Sequence, residues 1–131
     1  MPLDDDVKAL ATTRNFAALT TLFADGHPQT QVMWVDADDE HLLINTEVHR
    51  QKFKNVENDP RVTVMIWDRE SPYRYAEVRG EVVETTRGEE ARAHIEACSH
   101  RYLGRPYPNP IASERVILRI RADRVHKLAL A

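Results

Sequence analysis

The chain has one cysteine, Cys98, among 131 residues. That excludes an internal disulfide and any metal site built from several cysteines. Its few glycines form no phosphate-cradling loop, so nothing marks a Rossmann or P-loop fold. No apolar run is long enough to span a bilayer, and the opening Met1-Pro2-Leu3-Asp4-Asp5-Asp6 is acidic where a secretory leader would be basic. A cytoplasmic protein with no membrane partner is expected. The net charge of −3 implies no broad basic surface, so no nucleic-acid partner is expected either. Nucleophile elbows are missing, and carboxylates pair only in acidic turns. The six histidines (27, 41, 49, 94, 100 and 126) lack metal-ligand spacing. No resident metal is expected, and no side chain stands out as acid, base or nucleophile. Such an absence fits chemistry carried by a bound cofactor.

What is present reads as a single domain over 1–131, with enough chain for its own core. Asp4 to Asp6 can cap a short helix through about Ala11, with Val7 and Leu10 inward. A strand from Phe16 to Phe23 meets the hairpin dipeptide Asp25-Gly26, and Pro28 suits the first residue of the returning strand. From Gln29 to Val35, Gln29, Gln31, Met33 and Val35 share one face and Thr30, Val32 and Trp34 the other. That pattern suits a ligand wall and an ordinary sheet face equally. Asp36 to Glu40 reads as an acidic turn, and Arg69 to Pro72 as a loop. Val62 to Trp67 is apolar or β-branched throughout, which predicts a central strand covered on both sides. Tyr73 to Glu84 alternates, with Gly80 predicting a bend or bulge. Ala91, Ile95, Cys98 and Tyr102 recur at helical spacing, which predicts a buried, structural thiol at Cys98. A last strand starts near Val116 and can run on to Leu128. The whole predicts a mainly β fold with short helices, about six antiparallel strands in a closed or half-open barrel.

The stretch from Leu42 to Val64 carries the clearest functional signal. An apolar run leads through Asn45-Thr46 to three cations, Arg50, Lys52 and Lys54, before Asp59-Pro60 stops the segment. This reads as strand, short helix, strand, with the cations in the helix's first turns. A helix start offers free N–H groups and a positive dipole end, and Arg and Lys add full charge. The stretch is either a phosphate site at a barrel rim or a solvated surface helix.

Taken in order, Asp25-Gly26-His27-Pro28-Gln29, Trp34, Asn45-Thr46, Arg50-Gln51-Lys52, Asn55 and Asp59-Pro60-Arg61-Val62 resemble the pyridoxamine 5′-phosphate oxidase-like split-barrel superfamily. Ser71 to Gly80 and Tyr102-Leu103-Gly104-Arg105-Pro106-Tyr107 are similar to its actinobacterial flavin/deazaflavin oxidoreductases, the group using coenzyme F-420. The resemblance implies a homodimer of six-stranded antiparallel split β-barrels, the FMN-binding split barrel, with cofactor sites at the interface. The cofactor phosphate would lie on Arg50 and Lys52, with Asn45, Thr46 and Asn55 nearby. Its ring would lie along Gln31, Val32, Met33 and Trp34, with Tyr73 and Tyr75 reaching in from the partner chain. Val32 stands where many relatives carry proline. The implied activity is F-420-dependent hydride transfer to an electrophilic small molecule such as an enone, quinone, nitro compound or tetrapyrrole. The alternatives are an FMN-dependent oxidoreductase, or a non-catalytic protein binding flavin, deazaflavin or haem-derived ligands.

Overall fold

A computed structural model describes residues 2–130. The chain runs α1 (Asp5–Ala11), β1 (Phe16–Leu22), β2 (Pro28–Trp34), β3 (Asp36–Ala37), β4 (Leu42–Glu47), α2 (Gln51–Asn58), β5 (Arg61–Asp68), β6 (Ser71–Arg87), α3 (Glu89–Leu103) and β7 (Arg115–Leu128). All seven strands join one antiparallel sheet in the order β2-β1-β5-β6-β7-β4-β3. The sheet curls until its edge strand β2 meets β4 without hydrogen-bonding to it. The fold is therefore mainly β, a half-barrel split between those strands. Among the described residues, no helix is long and apolar enough to cross a membrane.

Local chemistry sets many of the boundaries. Asp4 Oδ1 accepts from the N–H groups of Asp6 (2.9 Å) and Val7 (3.1 Å), which caps α1 as its sequence predicts. β1 and β2 form the expected hairpin, with Gly26 at φ 88° in the turn, where a side chain would be strained. The β6–β7 register slips between Arg79 and Gly80. A Cβ on Gly80 would sit 1.8 Å from the Arg121 carbonyl oxygen, so only glycine lets the two backbones approach this closely.

Three expectations need correction. The sheet has seven strands rather than six, because Asp36 and Ala37 pair with Leu43 and Leu42 inside the predicted turn. The predicted loop at Arg69–Pro72 shrinks to a tight turn, and β6 begins at Ser71. Pro72 falls in the irregular stretch between the Asp68–Ser71 and Trp67–Tyr75 pairs, where its missing N–H breaks no ladder bond. Finally, β5 is covered on one side only: Val62, Val64 and Ile66 are buried, whereas Met65 is exposed. The strand covered on both faces is β4, all six of whose residues are buried. Leu42 and Ile44 enter the main core, while Leu43 packs outward on Ala91 of α3 and Ile117 of β7.

Candidate functional site

Where β2 meets β4 the split leaves a cavity of about 320 Å³. β2 contributes Gln31, Val32, Met33 and Trp34, β4 contributes Asn45 and Thr46, and the start of α2 contributes Arg50 and Lys52. These eight of the predicted site residues converge. The other three do not. The Asn55 amide is buried, donating to Thr21 Oγ1 (2.9 Å) and Gln29 Oε1 (3.3 Å) and accepting from Gln51 Nε2. Tyr73 is 81% exposed on β6, and Tyr75 lies on the same strand, with its ring 6.4 Å from His126. Neither tyrosine lines this chain's own cavity.

The cation end begins at α2. Arg50 is its N-cap in extended conformation, no side chain caps the helix, and no acid lies in its first turn. The first N–H groups therefore lack a side-chain acceptor, which leaves the positive end of the helix open to an anion. Lys52 is only 7% exposed, yet among the described residues no acid pairs with it. Burial first, then Arg50 and Arg115, lowers its ammonium pKa. Arg115, at the start of β7, completes the group. Its Nε donates to Asn45 Oδ1 (2.9 Å), its Nη1 lies 3.5 Å from Glu47 Oε2, and its guanidinium sits 5.3 Å from the Tyr107 ring centre. Glu47 is buried behind it and accepts from the N–H groups of Ala112 (2.8 Å) and Ser113 (2.7 Å). Burial opposes the Glu47 charge, but these two bonds and Arg115 keep its pKa below the ordinary value. Three cations against one buried acid leave this end net positive.

The facing wall comes from α3 and the proline-rich segment after it. His94, Ile95 and Cys98 line the cavity from the helix, with Tyr107 and Asn109 from the segment. His94 Nε2 is 2.9 Å from Asp36 Oδ2 and its Nδ1 is 3.0 Å from Asn45 Nδ2. Burial would depress the imidazole pKa, but Asp36 and then Cys98 push it up, to about 9. Trp34 stacks on Tyr102 at 5.0 Å, and the Tyr102 hydroxyl is pinned by the Asn15 carbonyl and the Val35 N–H. The slot between β2 and α3 is thus firm and largely apolar at its Trp34 end.

Sequence reasoning missed His94, Tyr107, Asn109 and Arg115, and placed Cys98 only in a packed helix face. Cys98 is indeed buried, but beside the cavity. Arg115 had one faint signal, a lone cation opening the run Val116-Ile117-Leu118. His94 had none, because its partners Asp36 and Asn45 are 58 and 49 residues away.

Residues 3–129 match the family described as pyridoxamine 5′-phosphate oxidase. Among solved structures, an F-420 reductase is 30% identical over 95% of this chain and 98% of its own, with a TM-score of 0.81. A putative pyridoxamine 5′-phosphate oxidase from Listeria innocua is 22% identical over 96% and 98%, at 0.69. HutZ, a haem storage protein from Vibrio cholerae, is 13% identical over 100% and 98%, at 0.66. The last two likenesses show the fold alone. No curated protein matches the chain.

Proposed function

The chain belongs to the pyridoxamine 5′-phosphate oxidase family, and from that premise we propose an oxidoreductase that holds coenzyme F-420 in the cavity to reduce an electrophilic small molecule. The observation that carries the reading is Lys52, which is 7% exposed and lines the cavity with no acid to pair with among the described residues, beside an uncapped helix start. A buried, unpaired charge is costly unless a ligand supplies its counter-ion. Arg50, Lys52 and Arg115 would take the phosphate, and Trp34, Met33 and Val32 would line a flat ring. The bound cofactor would supply the hydride. This chain's side chains fix its position and shield one face of the ring from water. The electrophile would enter past Val32, which lines the cavity and is exposed.

The same reading includes a symmetric homodimer. On the outer sheet face, Met65 pairs with Glu77, Trp67 with Tyr75, and Tyr75 with Leu128, which lines apolar and aromatic groups up in register. Such a face suits a second copy, which would carry Tyr73 and Tyr75 towards its neighbour's cavity. Quenching of Trp34 fluorescence on titration with F-420 and with FMN tests the cofactor, and sedimentation tests the dimer. Saturable binding of F-420 in preference to FMN is expected. Preference for FMN would transfer the site to that cofactor, and binding of neither would overturn the reading.

A further inference from the structure

Groups that do not titrate hold Asn45 in one orientation. Its Oδ1 accepts from Arg115 Nε at 2.9 Å, and its Nδ2 donates to the Ala91 carbonyl at 2.8 Å. A guanidinium can only donate and a carbonyl can only accept, so turning the amide over would set donor against donor and acceptor against acceptor. The second Nδ2 hydrogen therefore points at His94 Nδ1, 3.0 Å away. To receive it, Nδ1 must carry no proton, and Nε2–H then donates to Asp36 Oδ2. Only the neutral Nε2–H tautomer satisfies every bond in this chain.

We infer that His94 is a positioning residue for the phosphate site: its neutral form locks Asn45, and through Asn45 aims Arg115 into the cavity, while protonation at Nδ1 unlocks both. The inference rests on the phosphate reading of the cavity. A proton on Nδ1 would face an Asn45 N–H at 3.0 Å, and rotating the amide away would withdraw Oδ1 from Arg115. The guanidinium would then keep only Glu47 and the Tyr107 ring. The surroundings of the imidazole pull in opposite directions, and with its pKa raised to about 9 the neutral, locking form prevails only above that pH. Asp36 on β3 and Cys98 on α3, whose Sγ is 3.6 Å from Nε2, favour the second proton. Burial, the Asn45 amide on β4, and the cations Arg101 on α3 and Arg115 on β7 oppose it. Through Arg115 an anion disfavours that proton, against the direct attraction of an imidazolium lining the same cavity; where the Arg115 contact is the stronger, the proton weakens the anion by linkage.

The same polarity argues against a divalent cation on Asp36, His94 and Cys98, whose ligand atoms lie within 4.8 Å of one another. A metal on Nε2 would force the proton onto Nδ1, against the Asn45 N–H. Arg101 Nη1 also already occupies Asp36 Oδ1 at 2.9 Å.

Two substitutions separate positioning from mere packing. His94→Asn keeps an acceptor at the Nδ1 position and cannot titrate. His94→Gln keeps a donor for Asp36 but offers Asn45 no acceptor. Each is titrated with F-420 from below pH 6.5 to above about 9, the ordinary and raised values for His94. The expected result is a wild-type affinity that falls roughly tenfold relative to His94→Asn as pH drops through the His94 titration. His94→Gln should be weaker by a similar factor at every pH. Taking the ratio to His94→Asn cancels any titration of the cofactor itself. A ratio that stays constant with pH overturns the inference, as does an equal loss in both variants that tracks a shared fall in unfolding midpoint. Should wild type bind neither F-420 nor FMN, the functional reading fails separately, and nitrogen NMR then decides the lock. A neutral Nε2–H imidazole whose titration moves the Arg115 Nε–H resonance supports it, and an Arg115 resonance indifferent to that titration overturns it.

Discussion

The two walls of the cavity differ in how their polar groups are used. On the wall built from β2, β4 and α2, the cations are nearly free: Lys52 has no acidic partner among the described residues, and Arg50 approaches only Glu47, at 3.9 Å. On the wall built from α3 and β7 the charged groups are paired, although Arg101 Nε is buried without a partner. Arg115 holds Asn45 and Glu47, His94 holds Asp36 and Asn45, and Arg101 holds Asp36. The first wall carries uncompensated charge, as a ligand site does, while the second is a scaffold that keeps the first in place. Damage to the scaffold should therefore appear in stability, and damage to the free cations in binding.

Arg115→Ala should break that distinction most severely, since Arg115 belongs to both walls. It leaves Glu47, 2% exposed, without its nearest cation, and loss of one partner from a buried pair costs about 3 kcal/mol or more. Urea unfolding should show the loss together with weakened F-420 binding. A change below about 1 kcal/mol would mean the backbone bonds from Ala112 and Ser113 hold Glu47 without help.

Lys52→Met should sharpen the contrast by separating the two effects. A charge-assisted phosphate contact contributes on the order of 1.5–3 kcal/mol, so affinity should fall roughly ten- to a hundredfold. Folding stability should hold or rise, by roughly 1 kcal/mol, because the variant removes a buried charge and keeps a similar apolar volume. Reduced stability with unchanged affinity would place Lys52 among the scaffold residues.

The smallest effects belong to the exposed cations. Arg50→Ala should weaken cofactor binding about tenfold and leave unfolding within about 0.5 kcal/mol of wild type. Lys54→Ala should change neither. Lys54 is exposed and lies two residues beyond Lys52, about 200° around the helix axis. Equal losses from both substitutions, read by the same titration, would point to a diffuse surface field in place of a site.

Much of the first wall could be read from the sequence because its residues are neighbours in the chain. Helix polarity singled out Arg50 and Lys52, while alternation left Gln31 to Trp34 equally a ligand wall or a plain sheet face, and it was the family resemblance that placed them and Asn45-Thr46 at the site. Asn55 shows the limit of those rules. It keeps the same helix company as Lys52, yet it turns inward to Thr21 and Gln29. The two apolar strands show it again. β5 is the more continuously apolar run and was expected to be covered on both faces, but β4 is the strand that α3 roofs over. Composition records how apolar a strand is, and only packing records what lies above it.

By itself the sequence determined what depends on near neighbours: the Asp4 cap, the Gly26 hairpin, the bulge at Gly80, the inward face of α3 and the cations opening α2. Each follows from backbone sterics, helix or strand periodicity, or the polarity of a helix end, all of which act over a few residues. The closure of the sheet decided the rest. It brought Arg115 to Asn45 across 70 residues, Asn45 to His94 across 49 and His94 to Asp36 across 58. No local pattern encodes such a chain of bonds, because each partner is chosen by the strand and helix lying beside it after the barrel has curled. Hydrogen-bond polarity then fixes which nitrogen carries the proton when His94 is neutral.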